Sequence, residues 1–305
     1  YLSWSANVKT LNTQTEERLR ELAVSTIDKI DRYLFERQVD LQVIAADPVI
    51  SSPESTPKQI AERLIAFRNI YKTYVSLSFF GLNRIMIADT AGLELGKEDA
   101  AYKYWDEVLQ GKQSIASEIA ISPSLNMPVM YFASAVKDKN NTPFGVVVIR
   151  VPIDKLRDMI SKVSITAQVQ ENTEVELLNS QGVIIYSNHD RKGVLKDTGM
   201  DWGLIKARPT ESVGVVASHR HHQEEAHSLV FSRELGYLDF KGNGWTLLYQ
   251  VSTRVILAPI ITLRAQWIYV ILPSFVLVII LAFVFALNFS RPLSRLIHRG
   301  GLQRM

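Results

Sequence analysis

Tyr102, Tyr104 and Trp105 crowd the start of one short helix-forming stretch, and Tyr131 follows on the next apolar run. Rigid aromatic rings beside a few placed polar groups are what a pocket for a small organic molecule is built from. The same residues also suit plain packing under a sheet, so two readings stand: a ligand site or a core. A second candidate is His219-Arg-His-His-Gln-Glu-Glu-Ala-His227, which carries four of the six histidines. His221 or His222 with Glu225 would share a helical face at metal-ligand spacing, but no fixed ligand pattern is met and the run is hydrophilic throughout. It is read as a solvated loop, with no metal assigned. Ser55-Thr-Pro-Lys58 matches S-x-x-K by letter and lacks every partner motif. There is no G-x-S-x-G, no H-E-x-x-H and no phosphate loop, so the chain calls for no cofactor and no catalytic residue. With no cysteine, thiolate metal sites and cysteine nucleophiles are excluded.

The elements that must position these residues begin with a helix. From Leu11 to Ala46 there is neither Gly nor Pro, and Leu19, Leu22, Ala23, Ile27, Ile30, Leu34, Leu41, Ile44 and Ala45 recur at helical spacing. A helix of that length reaches about 54 Å, so it should lie along more than one module or pair with its copy. Asp47-Pro48 stops it, and Thr56-Pro57 opens a second helix to about Lys72. The period then shortens. Val75–Phe80, Arg84–Ala88, Val129–Val136 and Phe144–Val151 read as strands, Tyr102–Gln110 as a short helix ended by Gly111, and Gly111–Met127 as mostly loop. Asp138 to Pro143 is a turn between strands, and Asp154–Val163 a helix leading onward.

The pattern then repeats. FFGLNRIMI from Phe79 lies over LLNSQGVII from Leu177 at an offset of 98, and GVVVIRV from Gly145 over GWTLLYQ from Gly244 at 99. This points to two modules of one fold in tandem, α+β with antiparallel sheets. The predicted division is a stalk helix at 1–46, a first module at 47–155 and a second at 156–264.

Trp267 to Phe289 holds 23 residues and no charge. That length spans the ~30 Å hydrocarbon layer of a bilayer. Arg291, Arg295 and Arg299 follow it, which places 290–305 in the cytoplasm and the chain before about Arg264 outside. Tyr1-Leu-Ser-Trp-Ser could form the outer end of an earlier span, with Trp4 as its interface anchor. Lys plus Arg number 34 against 31 acids. This balance, much of it supplied by the last fifteen residues, gives no reason to expect nucleic acid.

The helix ending in AADPVI, then FFGLNRIMIAD, YWDEVLQGKQSIAS, GVVVIRVPIDKL and GNGWTLLYQV before a span, resembles the double Cache sensor domain of bacterial receptors over about Leu11 to Val255. Arg291-Pro292-Leu293 resembles the start of a HAMP signal-relay linker, although HRGGLQRM departs from the acidic residue and heptads expected there. The resemblance implies two PAS-like modules and a small ligand in the membrane-distal one. In amino-acid-binding members the short helix carries an Arg two positions before a Trp-Tyr pair, and an Asp closes the pocket. Here the pair is Tyr104-Trp105, the Arg position holds Tyr102 and the Asp position holds Arg150. A guanidinium in place of a carboxylate argues against an amino acid and for an organic anion, provided that Arg150 faces the pocket rather than solvent. On that reading Tyr102, Tyr104, Trp105, Tyr131 and Arg150 line the site, and Trp105→Ala weakens binding with the fold intact. Trp202 and Trp245 are read as core or interface residues of the second module.

Two functions compete. One is a homodimeric transmembrane receptor whose cytoplasmic output is a kinase, chemotaxis-signalling or cyclase domain. The other is a membrane-anchored enzyme or assembly factor facing outward, for which no catalytic constellation is visible. The sequence beyond Met305 separates them.

Overall fold

In the computed structural model, helix α1 runs from Leu2 to Ala45, 44 residues, starting earlier than the Leu11 read from the sequence. The residues described are 2–92, 95–98, 104–110, 119–122, 125–161, 173–189, 192–219, 226–252, 269 and 271–285. Leu19, Ala23, Ile27, Ile30, Leu34, Leu41 and Ile44, spaced three, four or seven residues apart, are at most 4 % exposed. They form one stripe because every third or fourth side chain of a helix shares a face. The stripe packs along two sheets in succession. It is therefore covered within a single chain, and the length of α1 no longer requires a second copy; Val24, Val39 and Val43 remain exposed.

Past α1 the Asp47 carboxylate accepts the N–H groups of Val49 and Ile50 at 3.0 and 3.3 Å and the Arg63 guanidinium at 2.7 Å. Arg63 lies on α2 (Pro57–Tyr71), so the helix-stopping turn and the next helix are tied together. Thr56 caps α2: its Oγ1 accepts the Gln59 N–H at 3.3 Å, and Gln59 Oε1 accepts the Thr56 N–H at 2.9 Å. This reciprocal cap satisfies two otherwise orphan donors. Thr56→Ala should lower the unfolding free energy by ~1 kcal/mol in urea titration; an unchanged midpoint would show the cap to be idle.

Strands β1 (Ser76–Gly81), β2 (Met86–Asp89), β3 (Ala120–Ser122), β4 (Met127–Lys137) and β5 (Pro143–Pro152) form an antiparallel sheet in the order β2-β1-β5-β4-β3. Helix α3 (Tyr104–Leu109) lies between β2 and β3 in sequence, and α4 (Asp154–Ser161) leaves the sheet. The second sheet comprises β6 (Thr173–Leu178), β7 (Ile184–Ser187), β8 (Val213–His219), β9 (Ala226–Arg233) and β10 (Thr246–Ser252), with α5 (Trp202–Lys206) between β7 and β8. Its order, β7-β6-β10-β9-β8, is that of the first.

The repeat extends to irregularities. The β1–β2 ladder slips between Phe79 and Phe80, and the β6–β7 ladder between Leu177 and Leu178, at the offset of 98 read from the sequence. The later overlay needs correcting by one residue. Ser78 pairs with Val148 and Glu176 with Leu248, so β5 maps onto β10 at an offset of 100 rather than 99. Because side chains alternate along a strand, that one residue exchanges the two faces. Two local boundaries also move. Arg84, read as the start of a strand, sits at φ +65° in the turn closed by its N–H to Gly81 O at 2.9 Å, so β2 begins at Met86. The presumed loop before Met127 contains the three residues of β3.

The chain divides into two compact units, Tyr1–Thr253 and Arg254–Met305. In the second, residues 271–285 are helical with their large apolar side chains exposed. Among the described residues no helix is long and apolar enough to cross a membrane. The ends of the expected 267–289 span, and all of 290–305, lie outside the described residues.

Candidate functional site

Alternation along the first sheet sorts its residues into two faces. One face packs on α1 and α2. The other carries Phe80 of β1, Val129, Tyr131 and Ala133 of β4, and Val146 and Val148 of β5, and α3 lays Trp105 and Val108 against it. Trp105 is 2 % exposed and meets Phe80 edge to face, with ring centroids 6.0 Å apart at 87°. The ring is thus part of the core. The expectation that Trp105→Ala leaves the fold intact fails for that reason, since truncation would open a cavity in this cluster.

Arg150 follows Val148 by two, so it continues the same face beside Tyr131, its register partner on β4. It is 3 % exposed. Its Nη1 donates to Ser76 Oγ at 2.9 Å and to Ser78 Oγ at 2.6 Å, and Ser78 in turn donates to Asp89 Oδ1 at 2.6 Å. The guanidinium carbon lies 5.5 Å from the centroid of the Tyr131 ring. Nε is buried with no hydrogen-bond partner. Asp89 therefore reaches the cation through a hydroxyl, and among the described residues no carboxylate makes an ion pair with it. A buried cation left short of acceptors is costly, and an anion that reached it would gain a charge-assisted bond in a poorly solvated place.

The structure thus brings Trp105, Tyr131 and Arg150 to one face and turns Arg150 away from solvent. Tyr102 and the side chain of Tyr104 lie outside the described residues, as do His221, His222 and Glu225. Among the described residues no group of three or more His, Asp or Glu could hold a metal ion. Sequence reasoning missed Ser76, Ser78 and Asp89. The available signal was two small polar residues at alternate positions in Ser-Leu-Ser-Phe-Phe, a strand buried on both faces.

In the second sheet the matching positions differ. Leu229 stands where Tyr131 stands, Gln250 where Arg150 stands, and the buried residue of α5 is Ile205. Ile205, Leu229, Phe231 and Leu248 form an apolar core cluster there with Leu178, Ile184 and Val216. Trp245 is buried in the core and Trp202 packs beside the cluster, as expected of them.

A long helix backing two five-stranded antiparallel sheets of one strand order defines a tandem PAS-like protein. The chain belongs to the Cache domain family, whose dCache_1 model matches residues 7–260. No curated protein matches it. Among solved structures it is similar to the ligand-binding domain of the Pseudomonas aeruginosa amino acid chemoreceptor PctB in complex with L-Arg. That likeness has 17 % identity and a TM-score of 0.60, over 79 % of this chain and 96 % of that one. It is similar also to the ligand-binding domain of the Campylobacter jejuni chemoreceptor Tlp3 with 4-methylisoleucine (12 %, TM-score 0.63, 81 % and 94 %). A third likeness is to the extracellular domain of the putative histidine kinase rpHK1S-Z16 (14 %, TM-score 0.64, 79 % and 95 %). At such identities the likeness is one of fold.

Proposed function

We propose that this chain is the ligand-sensing region of a transmembrane signalling receptor, and that it binds a small organic anion on the Trp105 face of the first sheet. Residues 1–264 lie outside the cell membrane, 267–289 cross it, and 290–305 begin a HAMP-like relay to a cytoplasmic output domain. The receptor works as a homodimer, with the exposed Val24, Val39 and Val43 of α1 among the contacts. The single observation that supports the ligand class is Arg150, a buried guanidinium beside Tyr131 whose Nε has no hydrogen-bond partner and which has no acidic partner in ion-pair range among the described residues. The second sheet carries Gln250 and Leu229 at those positions, which favours the first as the recognition module. PctB and Tlp3 were solved with amino acids or a close analogue bound. An amino acid presents an ammonium as well as a carboxylate, and Arg150 is a poor neighbour for the former.

The test is a thermal-shift screen of mono- and dicarboxylates against amino acids, followed by calorimetric titration. A carboxylate held at a hundred times its Kd should add about 2.7 kcal/mol of stability, a shift of several degrees. Stabilisation by amino acids alone would overturn the assignment.

A further inference from the structure

The chain between β9 and β10 folds back over α1. Leu235 and Gly236 donate their N–H groups to Asp31 Oδ2 at 3.2 and 2.9 Å. The Tyr237 ring meets Phe35 edge on at 5.4 Å and lies 4.7 Å from the Arg32 guanidinium. Gly236 makes this possible at φ +81°: a Cβ there would sit 2.2 Å from the Phe240 carbonyl oxygen. At the root of the loop Glu234 Oε2 accepts the N–H groups of Asn243 and Trp245, the latter at 3.1 Å. Each carboxyl has one oxygen left over, Asp31 Oδ1 and Glu234 Oε1, and neither finds a donor. Glu234 directly precedes Leu235, whose N–H reaches Asp31, so the two buried carboxyls act on each other. Two carboxylates cannot hydrogen-bond; a proton shared between them would give both free oxygens a partner at once.

We propose that the Asp31–Glu234 pair is a proton-operated latch, closing the β9–β10 loop on α1 while one proton is shared and releasing it when that proton leaves. It gives the molecule a sensitivity to pH separate from any ligand in the first sheet.

Among the described residues neither carboxyl is paired with a cation, although Arg20 on α1 and Arg233 on β9 each carry a buried Nε without a hydrogen-bond partner. On α1, Asp28 faces Asp31 and is already bridged to Arg32 at 2.9 Å. Glu17, Arg20 and Glu21 line, with Asp31, an open cleft of about 710 Å³ between α1 and the second sheet, and this gives water a path to the pair. Arg233 on β9 spends its Nη2 on the carbonyls of Ile205 and Arg208. Asp239 and Lys241 on the loop are exposed. Asp31 and Glu234 are 2 and 8 % exposed. Burial raises both above the ordinary carboxyl range, Asp28 adds to Asp31, and Glu234 is pushed up to about 8.

The sign follows from linkage. A carboxyl raised on folding takes up a proton, so its contribution is complete below the ordinary carboxyl range, about pH 4.5, and is lost as pH rises through about 8. Within that window the folding equilibrium should fall by up to about tenfold per pH unit. The experiment is thermal unfolding of the full chain in detergent micelles from pH 5 to 9, beside Glu234→Gln. The glutamine keeps the acceptor for Asn243 and Trp245 and donates an N–H to Asp31 with no titrating proton. The wild type should lose stability steadily toward pH 9 and the variant should not. Parallel slopes, or a flat wild-type profile, would overturn the proposal. Hydrogen exchange in the wild type gives a check that needs no variant. Protection of the Leu235 and Gly236 amides, corrected for the intrinsic rate, should drop at least tenfold from pH 7 to 9. Unchanged protection rules the latch out.

Discussion

Arg150→Met should raise the thermal midpoint of the unliganded protein and at the same time weaken anion binding. Methionine fills much of the volume of the arginine stem and brings no charge into the space between Tyr131 and the two serines. Replacing buried, incompletely satisfied charge by an apolar side chain of similar size is often neutral or stabilising, by ~1–4 kcal/mol for whole ion pairs, and one cation should fall at the low end. The gain has a clear source: the unpartnered Nε and the desolvated guanidinium both disappear. Binding should lose at least ~2 kcal/mol, about thirtyfold in Kd, because a charge-assisted bond has no substitute. Melting curves and titration with the best carboxylate from the screen measure the two effects. A variant destabilised by several kcal/mol would identify Arg150 as a strut holding Ser76 and Ser78, and would remove the main support for an anionic ligand.

Gly182→Ala should be among the most damaging single changes in the second sheet. Gly182 closes the β6–β7 turn with its N–H to Asn179 O at 2.9 Å, as Arg84 closes the β1–β2 turn to Gly81 O. Both residues have positive φ, +87° and +65°. The difference lies above them: a Cβ on Gly182 would come within 2.4–2.5 Å of three atoms of the Trp202 ring. Left-handed strain and a displaced indole together should cost ~3 kcal/mol, read in urea titration. Arg84→Gly, at the same place in the other copy, should change stability by less than ~1 kcal/mol. Equal losses at both positions would mean that the ring yields freely.

The α1 stripe, most of the strands and the tandem repeat were legible because each rests on periodicity, and hydrophobic spacing is what a sheet and a helix impose most strongly; the order of the strands in the sheets was not. The overlay of Gly145 on Gly244 slipped by one because it matched letters. Gly145 sits in a strand opposite Gly81, whereas Gly244 turns the chain at φ +74° before β10 begins. In the site, Trp105, Tyr131 and Arg150 could be picked by residue type. Ser76 and Ser78 could not, since a serine in a buried strand shows its purpose only when the residue across the ladder is known. Asp31 escaped notice for a related reason. The stripe is marked out by apolar residues, yet Thr26, Asp31 and Gln38 are buried on α1 too, the first two placed by what lies opposite. Thr26 meets the Tyr249 hydroxyl at 3.4 Å, and Asp31 meets the loop amides.

The shared helix also sets an order of assembly. Glu16 accepts a hydrogen bond from Ser228 across 212 positions, and Thr26 reaches Tyr249 across 223. As the chain leaves the ribosome, the part of α1 that belongs to the second sheet is made some two hundred residues before its partners. Its apolar side must wait, uncovered, through the synthesis of some two hundred residues, while the part contacting the first sheet is satisfied far sooner. Closing so long a loop is the slow step expected of high contact order, and the waiting stripe is the surface a chaperone or a mistaken neighbour would meet.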